Sequence, residues 1–84
     1  MTVRKVAATR VYLNASEFYS NRVVELAGHI VTNHYPLIAE LPYTEWFGGT
    51  IIVQDNHAYH TKKVLTPEEA KTFYASIAND MAML

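Results

Sequence analysis

Along most of this chain apolar and polar residues alternate, or apolar residues run in short blocks. From Thr66 onward the interval between apolar residues widens to three and four. The first habit belongs to strands and the second to a helix. The clearest strand pair lies within Gly48 to Lys63, GGTIIVQDNHAYHTKK. Thr50 to Gln54 is β-branched and apolar, Asp55-Asn56 interrupts it, and His57 to Thr61 resumes with Tyr59 and Thr61, all good strand formers. Asp and Asn tolerate the left-handed backbone that a two-residue type I′ turn demands at both central positions.

Counting outward from that turn pairs Gln54 with His57, Val53 with Ala58, Ile52 with Tyr59, Ile51 with His60 and Thr50 with Thr61. One face then carries Val53, Ala58, Ile51 and His60. The other carries Ile52 and Tyr59, flanked by Gln54, His57, Thr50 and Thr61. Neither face is purely polar, so both are expected to be at least partly covered. Gly48-Gly49 before the strand predicts a bend or a close backbone approach.

Upstream, Val3 to Leu13 alternates well enough to predict a first strand. Asn14 to Asn21 reads as a connection, with Asn14 as a cap, Glu17 reaching back to it, and Phe18 and Tyr19 pinned to the core. Arg22 to Ala27 and Ile30 to Tyr35 predict a second hairpin, its turn at Ala27-Gly28 or Gly28-His29. Pro36 has no amide to give a ladder, so that strand ends at an edge or a sheet exit. Leu37 to Trp46 reads as a loop or a short irregular edge.

The helix has the strongest local signal. Thr66-Pro67-Glu68-Glu69 joins an N-cap threonine, a proline at the first helical position and a glutamate at the third. Ala70, Phe73, Tyr74, Ile77, Ala78, Met81 and Leu84 then form one apolar stripe on a helix of about 17 residues. The expected fold is α+β: a small antiparallel sheet of about five strands with two hairpins, and one C-terminal amphipathic helix, all in a single domain over 1–84.

Composition narrows the function classes. With 84 residues the chain makes one domain, and with no cysteine it has neither a disulfide framework nor thiolate chemistry. That fits a reducing compartment, and a cytoplasmic setting is the expectation. A net charge of −1 lacks the basic footprint of a nucleic-acid binder. No apolar run approaches the ~20 residues of a membrane span. The N-terminal MTVRKVAATR has no apolar stretch behind Arg4-Lys5 and does not read as a signal peptide.

Asn21 to Leu37, NRVVELAGHIVTNHYPL, and Thr44 to Val53, TEWFGGTIIV, resemble the small β-domain beside the barrel of amidohydrolase-superfamily enzymes. In that family the β-domain is assembled from both chain ends, and the barrel between them carries the metal. The chain departs from the family where its Asp-x-His-x-His metal motif would stand, and runs instead into the Asp55-Asn56 turn. A barrel of roughly 250 residues does not fit here. The resemblance therefore implies the fold of a free-standing β-domain without hydrolase activity.

Residues that carry chemistry are scattered. His57 and His60, three apart on a strand, point to opposite faces, and His29 and His34 lie in the other hairpin, so no metal site is expected. Ser16, Ser20 and Ser76 have no nucleophile motif around them. Glu68 and Glu69 complement a helix N-terminus. Gly48-Gly49 lacks the spacing and lysine of a phosphate loop. No catalytic residue and no cofactor is expected. The aromatics stand out: Tyr43, Trp46, Phe47 and Tyr59 form a candidate association surface. The expected role is non-catalytic protein association, with a second copy or another protein. The alternative is a small-ligand or metal-binding module built on histidines and tyrosines.

Overall fold

The computed structural model of the chain describes residues 3–38, 43–75 and 82–84. In chain order its elements are β1 (Val3–Asn14), β2 (Glu17–Ala27), β3 (Ile30–Pro36), β4 (Thr44–Trp46), β5 (Thr50–Gln54), β6 (His57–Thr61), α1 (Pro67–Ala75) and β7 (Ala82–Met83). The class is α+β, with a sheet built from hairpins and a helix near the C-terminus, as the pattern predicts.

β1 organises the sheet. β2 runs antiparallel along one flank. The other flank takes β4 at Lys5 to Ala7 and β5 at Arg10 to Tyr12, both parallel to β1. The order is β3-β2-β1-β5-β6-β7, with β4 attached to β1. The two parallel pairings come in addition to the antiparallel hairpins the sequence indicates. They arise because the chain crosses back after β3 and lays its second half along the free side of β1.

The sheet curls until its distant ends touch. The Val31 amide on β3 donates to the Asn56 carbonyl of the β5–β6 turn at 2.7 Å, and His29, just before β3, bonds the Leu84 carbonyl after β7 at 3.1 Å. Inside the curl, Val6, Ala8, Val11, Val24, Leu26, Ile51 and Ala58 are buried in one cluster. On the outer face Tyr12 and Ile52 are buried under Ala70 and Phe73 of α1, with Tyr59, Leu65 and Tyr74 packed beside them. Both faces of the β5–β6 hairpin are thus covered, as its mixed pattern requires.

One kink makes the curl fit the sequence. Asn21 takes a left-handed φ of 51°, and Thr9, opposite it, drops out of the β1–β2 pairing. On one side of this point even-numbered residues, Val6, Ala8, Val24 and Leu26, enter the inner cluster; on the other side odd-numbered Val11 and Leu13 do. Ala8–Arg22 and Arg10–Ser20 keep one register across this point, so the faces exchange through a kink in both strands with no inserted residue. The exposed Asn21 carbonyl accepts from the Leu37 amide at 2.9 Å.

The turns follow their residues. Asp55 and Asn56 have φ of 52° and 62°, and all five expected pairs from Thr50–Thr61 to Gln54–His57 form. Ala27 pairs with Ile30, which places the second turn at Gly28-His29 with Gly28 at φ 64°. Pro36 ends β3 on the outer edge of the sheet. At Gly49, φ 59°, an added Cβ would lie 2.2 Å from the Thr61 carbonyl oxygen, so the expected close approach is real and only glycine fits.

Two expectations are corrected. Asn14 to Asn21 is not a connection, because Glu17 to Asn21 is already β2 and Asn14 pairs with Glu17. The Asn14–Glu17 contact does form, at 3.0 Å, but it closes a tight turn: the Asn14 side-chain oxygen accepts from the Ser16 amide at 2.9 Å. The helix does not run to Leu84. It is described to Ala75, and Ala82–Met83 is a strand paired with Tyr59 and His60. Leu84 packs on the inner cluster instead. Ile77, Ala78 and Met81 lie outside the described residues. Alanine, methionine and leucine suit a helix well, but an unsatisfied β6 edge offers backbone hydrogen bonds that outweigh propensity.

The start of α1 matches its sequence signal. The Thr66 hydroxyl accepts from the Glu69 amide at 3.2 Å, and the Glu69 carboxylate accepts from the Thr66 amide at 3.0 Å. The link before it is strapped to the sheet. The buried Thr50 hydroxyl donates to the Lys63 carbonyl and accepts from the Leu65 amide, each at 2.8 Å. The Leu65 carbonyl accepts from Arg10 Nη1 at 2.8 Å and from the Tyr12 hydroxyl at 2.9 Å.

Candidate functional site

The four aromatics singled out from the sequence separate into two pairs. Phe47 packs against the inner cluster; its ring lies 5.0 Å from that of His60, and the Arg4 guanidinium stands over it. Tyr59 packs under α1, its ring 5.7 Å from that of Phe73. Both serve the core. Tyr43 is 96% exposed and Trp46 55% exposed. They flank β4, which is hydrogen-bonded to β1 on one side and, among the described residues, to no strand on the other. An exposed strand edge beside two large aromatics is the kind of surface that seeks a partner.

A shallow groove of about 640 Å³ opens beside that edge, lined by Val3, Arg4, Lys5, Gly28, Tyr43, Thr44 and Glu45. The Arg4 guanidinium meets the Glu45 carboxylate across it, with Nε to Oε2 at 2.5 Å. This hydrogen bond lowers the Glu45 carboxyl and raises the Arg4 guanidinium from their ordinary values. The Thr44 hydroxyl is buried at the groove without a hydrogen-bond partner among the described residues.

Each histidine holds a specific partner. His29 Nδ1 donates to the Leu84 carbonyl at 3.1 Å, His57 Nδ1 to the Asp55 carbonyl at 2.8 Å, and His60 Nε2 to the Gly48 carbonyl at 3.2 Å. A carbonyl only accepts, so those ring nitrogens carry protons. His34 is the opposite case. Its Nδ1 accepts from Arg22 Nε at 3.1 Å and faces Arg22 Nη2 at 3.0 Å, so its proton sits on Nε2. Among the described residues no three His, Asp or Glu side chains converge as metal ligands.

Arg22 is the functional candidate the sequence did not reveal. Its guanidinium lies 4.0 Å from the centroid of the Tyr19 ring, while its edge holds His34. The Tyr19 hydroxyl donates to Glu17 at 2.5 Å, which raises the phenol from its ordinary value. Arg22 opposes Pro36 and Val24 opposes His34, so Arg22 and His34 are diagonal neighbours across the hairpin. Counting outward from Gly28-His29 pairs Arg22 with Tyr35; the register shift between Glu25 and Leu26, which instead sets Val24 opposite His34, has no signal in the sequence. Neither has the Asn21 kink, which brings Tyr19 and Arg22 together.

Comparison with protein-family models, with curated proteins and with solved structures finds no match to this chain.

Proposed function

We propose that this domain acts without catalysis, through protein association, and first of all with a second copy of itself. The observation that supports this reading is the edge of β4, where Tyr43 and Trp46 stand exposed beside an open ladder. Pairing two such edges satisfies backbone groups and covers aromatic surface together. The lack of cysteine suits a cytoplasmic setting for such a module. In this reading the likeness to the amidohydrolase β-domain extends to architecture and brings no hydrolase activity.

Sedimentation velocity at two widely separated concentrations tests the proposal. The expected result is a shift from monomer to dimer, which Tyr43→Ser and Trp46→Ala each weaken. Tyr43 is almost fully exposed, so its replacement leaves folding intact and isolates the interface. A monomer at both concentrations overturns the reading.

A further inference from the structure

A second surface, away from β4, has the makings of a ligand site and goes beyond the association reading. At the hairpin end of the curled sheet lies a groove of about 380 Å³. Leu13, Val31 and Val53, each packed against the inner cluster, give it an apolar floor. Thr32, Asn33, His34 and Asn56 give it a polar rim, and among the described residues no carboxylate lines it.

The rim is already set for an acceptor. Arg22 occupies Nδ1 of His34, which fixes the Nε2–H tautomer and leaves that N–H without a partner among the described residues. Arg22 itself has no carboxylate partner among the described residues, since the ion pairs there are Arg4–Glu45 and Lys63–Glu69. The Tyr19 ring and His34 hold it in place, and the nearby Glu17 carboxylate is bonded to the Tyr19 hydroxyl instead of to the guanidinium. A cation bonded to one side of an imidazole makes the N–H on the other side a stronger donor. Asn33 spends its side-chain oxygen on the His34 amide at 2.9 Å, so its Nδ2 group remains as a further donor. The groove thus offers donors and apolar walls, with the Arg22 charge standing behind its His34 rim, and its volume suits a ligand of about four to eight carbons.

We propose that this groove binds a short-chain carboxylate. The alkyl part lies on Leu13, Val31 and Val53, and an anionic oxygen accepts from His34 Nε2–H. Arg22 is a positioning residue that sets the tautomer of His34 and supplies the field favouring an anion.

Titration of the full chain with hexanoate, hexylamine and hexanol, followed by NMR, tests this. The expected result is that hexanoate shifts the methyl signals of Leu13, Val31 and Val53 together with the His34 ring, and that hexylamine does not. Arg22→Gln weakens hexanoate binding by about tenfold, the worth of one charge-assisted hydrogen bond, and leaves the weaker hexanol response unchanged. The His34 ring nitrogens then report a mixture of tautomers in place of Nε2–H alone, while the amide signals of the rest of the sheet stay in place, which separates the loss of Arg22 from loosening of the fold. Arg22→Lys restores part of the affinity. Equal response to hexanoate and hexylamine, hexanoate shifts mapping elsewhere, or no response overturns the proposal in the wild-type chain, whatever the variants do. Undiminished binding by Arg22→Gln overturns the part given to Arg22.

Discussion

Gly49 and Thr61 approach so closely that a Cβ on Gly49 would sit 2.2 Å from the Thr61 carbonyl oxygen. The approach lets the chain bend between β4 and β5 and still pair both with β1: the Phe47 amide donates to Ala7, and the Arg10 amide donates to the Gly49 carbonyl. Gly49→Ala combines this overlap with a left-handed φ, and should cost about 3 kcal/mol. Gly28→Ala meets nothing within 4 Å and carries the φ strain alone, about 1 kcal/mol. Urea midpoints of the two variants should differ accordingly; equal loss would show that the Thr61 contact relaxes.

Thr50 is a buried polar side chain whose single hydroxyl serves both the Lys63 carbonyl and the Leu65 amide. Thr50→Val keeps the shape and strands both backbone groups, at a cost of about 2–3 kcal/mol. Thermal unfolding should show the loss with an unchanged far-ultraviolet spectrum at low temperature. A smaller parallel case is Tyr74, whose hydroxyl donates to Val53 at 2.7 Å; burial raises its phenol well above the ordinary value. Tyr74→Phe should cost about 1 kcal/mol.

Asn21 sits at φ 51° where the sheet changes faces. Asn21→Gly should be neutral or mildly stabilising. Asn21→Val, β-branched at a left-handed position, should cost about 2 kcal/mol. If valine were tolerated as well as glycine, the kink at Asn21 would not be what turns Val11 inward.

Stability should fall at both ends of the pH range, for opposite reasons. The hydrogen bond from Lys63, then that from the Thr66 amide, holds the Glu69 carboxyl at about 2 against an ordinary 4.5. A depressed folded value contributes stability above 4.5 and loses it as pH falls toward 2. Glu69→Gln keeps the acceptor for Thr66 and removes the titration, so its loss of stability between pH 5 and pH 2 should be the smaller. The Lys63 side chain is 66% exposed and that of Glu69 36%, so solvent screens the pair, and the effect is modest and should shrink in high salt. Tyr35 runs the other way: its hydrogen bond to Glu25 pushes the phenol up to about 12 from 10. That contribution is complete below pH 10 and disappears as pH rises toward 12, and Tyr35→Phe should abolish the dependence. Chemical denaturation across each window measures both.

The parts of this fold that local chemistry dictates were legible in the sequence. Asp55-Asn56 demanded one turn geometry, and the whole β5–β6 register followed from it. Thr66 to Glu69 marked the helix start down to individual bonds. The β1–β2 hairpin was hidden because Ala15 and Ser16 turn without glycine or a positive φ, and because Asn14 and Glu17 suit a cap as well as a turn. The end of α1 was hidden because competition for the β6 edge is a long-range matter. The parallel placement of β4 and β5 is long-range too. Among the site residues, exposure separated Tyr43 and Trp46 from Phe47 and Tyr59, and no local pattern distinguishes an aromatic that caps the core from one that faces water. His34 and Arg22 meet only because the β2–β3 pairing shifts register between Glu25 and Leu26, an irregularity that no turn residue announces.

The central place of β1 also sets an order of assembly. Its first partner follows it almost at once, whereas its other flank waits for residues some 40 positions later, as in the pairing of Arg10 with Thr50. During synthesis, then, the leading three-stranded piece spends time with a long apolar strand bare along one side. Chains of this kind form their last contacts slowly and stick to one another meanwhile. Shortening the protein after Leu37 should therefore yield inclusion bodies rather than a smaller soluble domain.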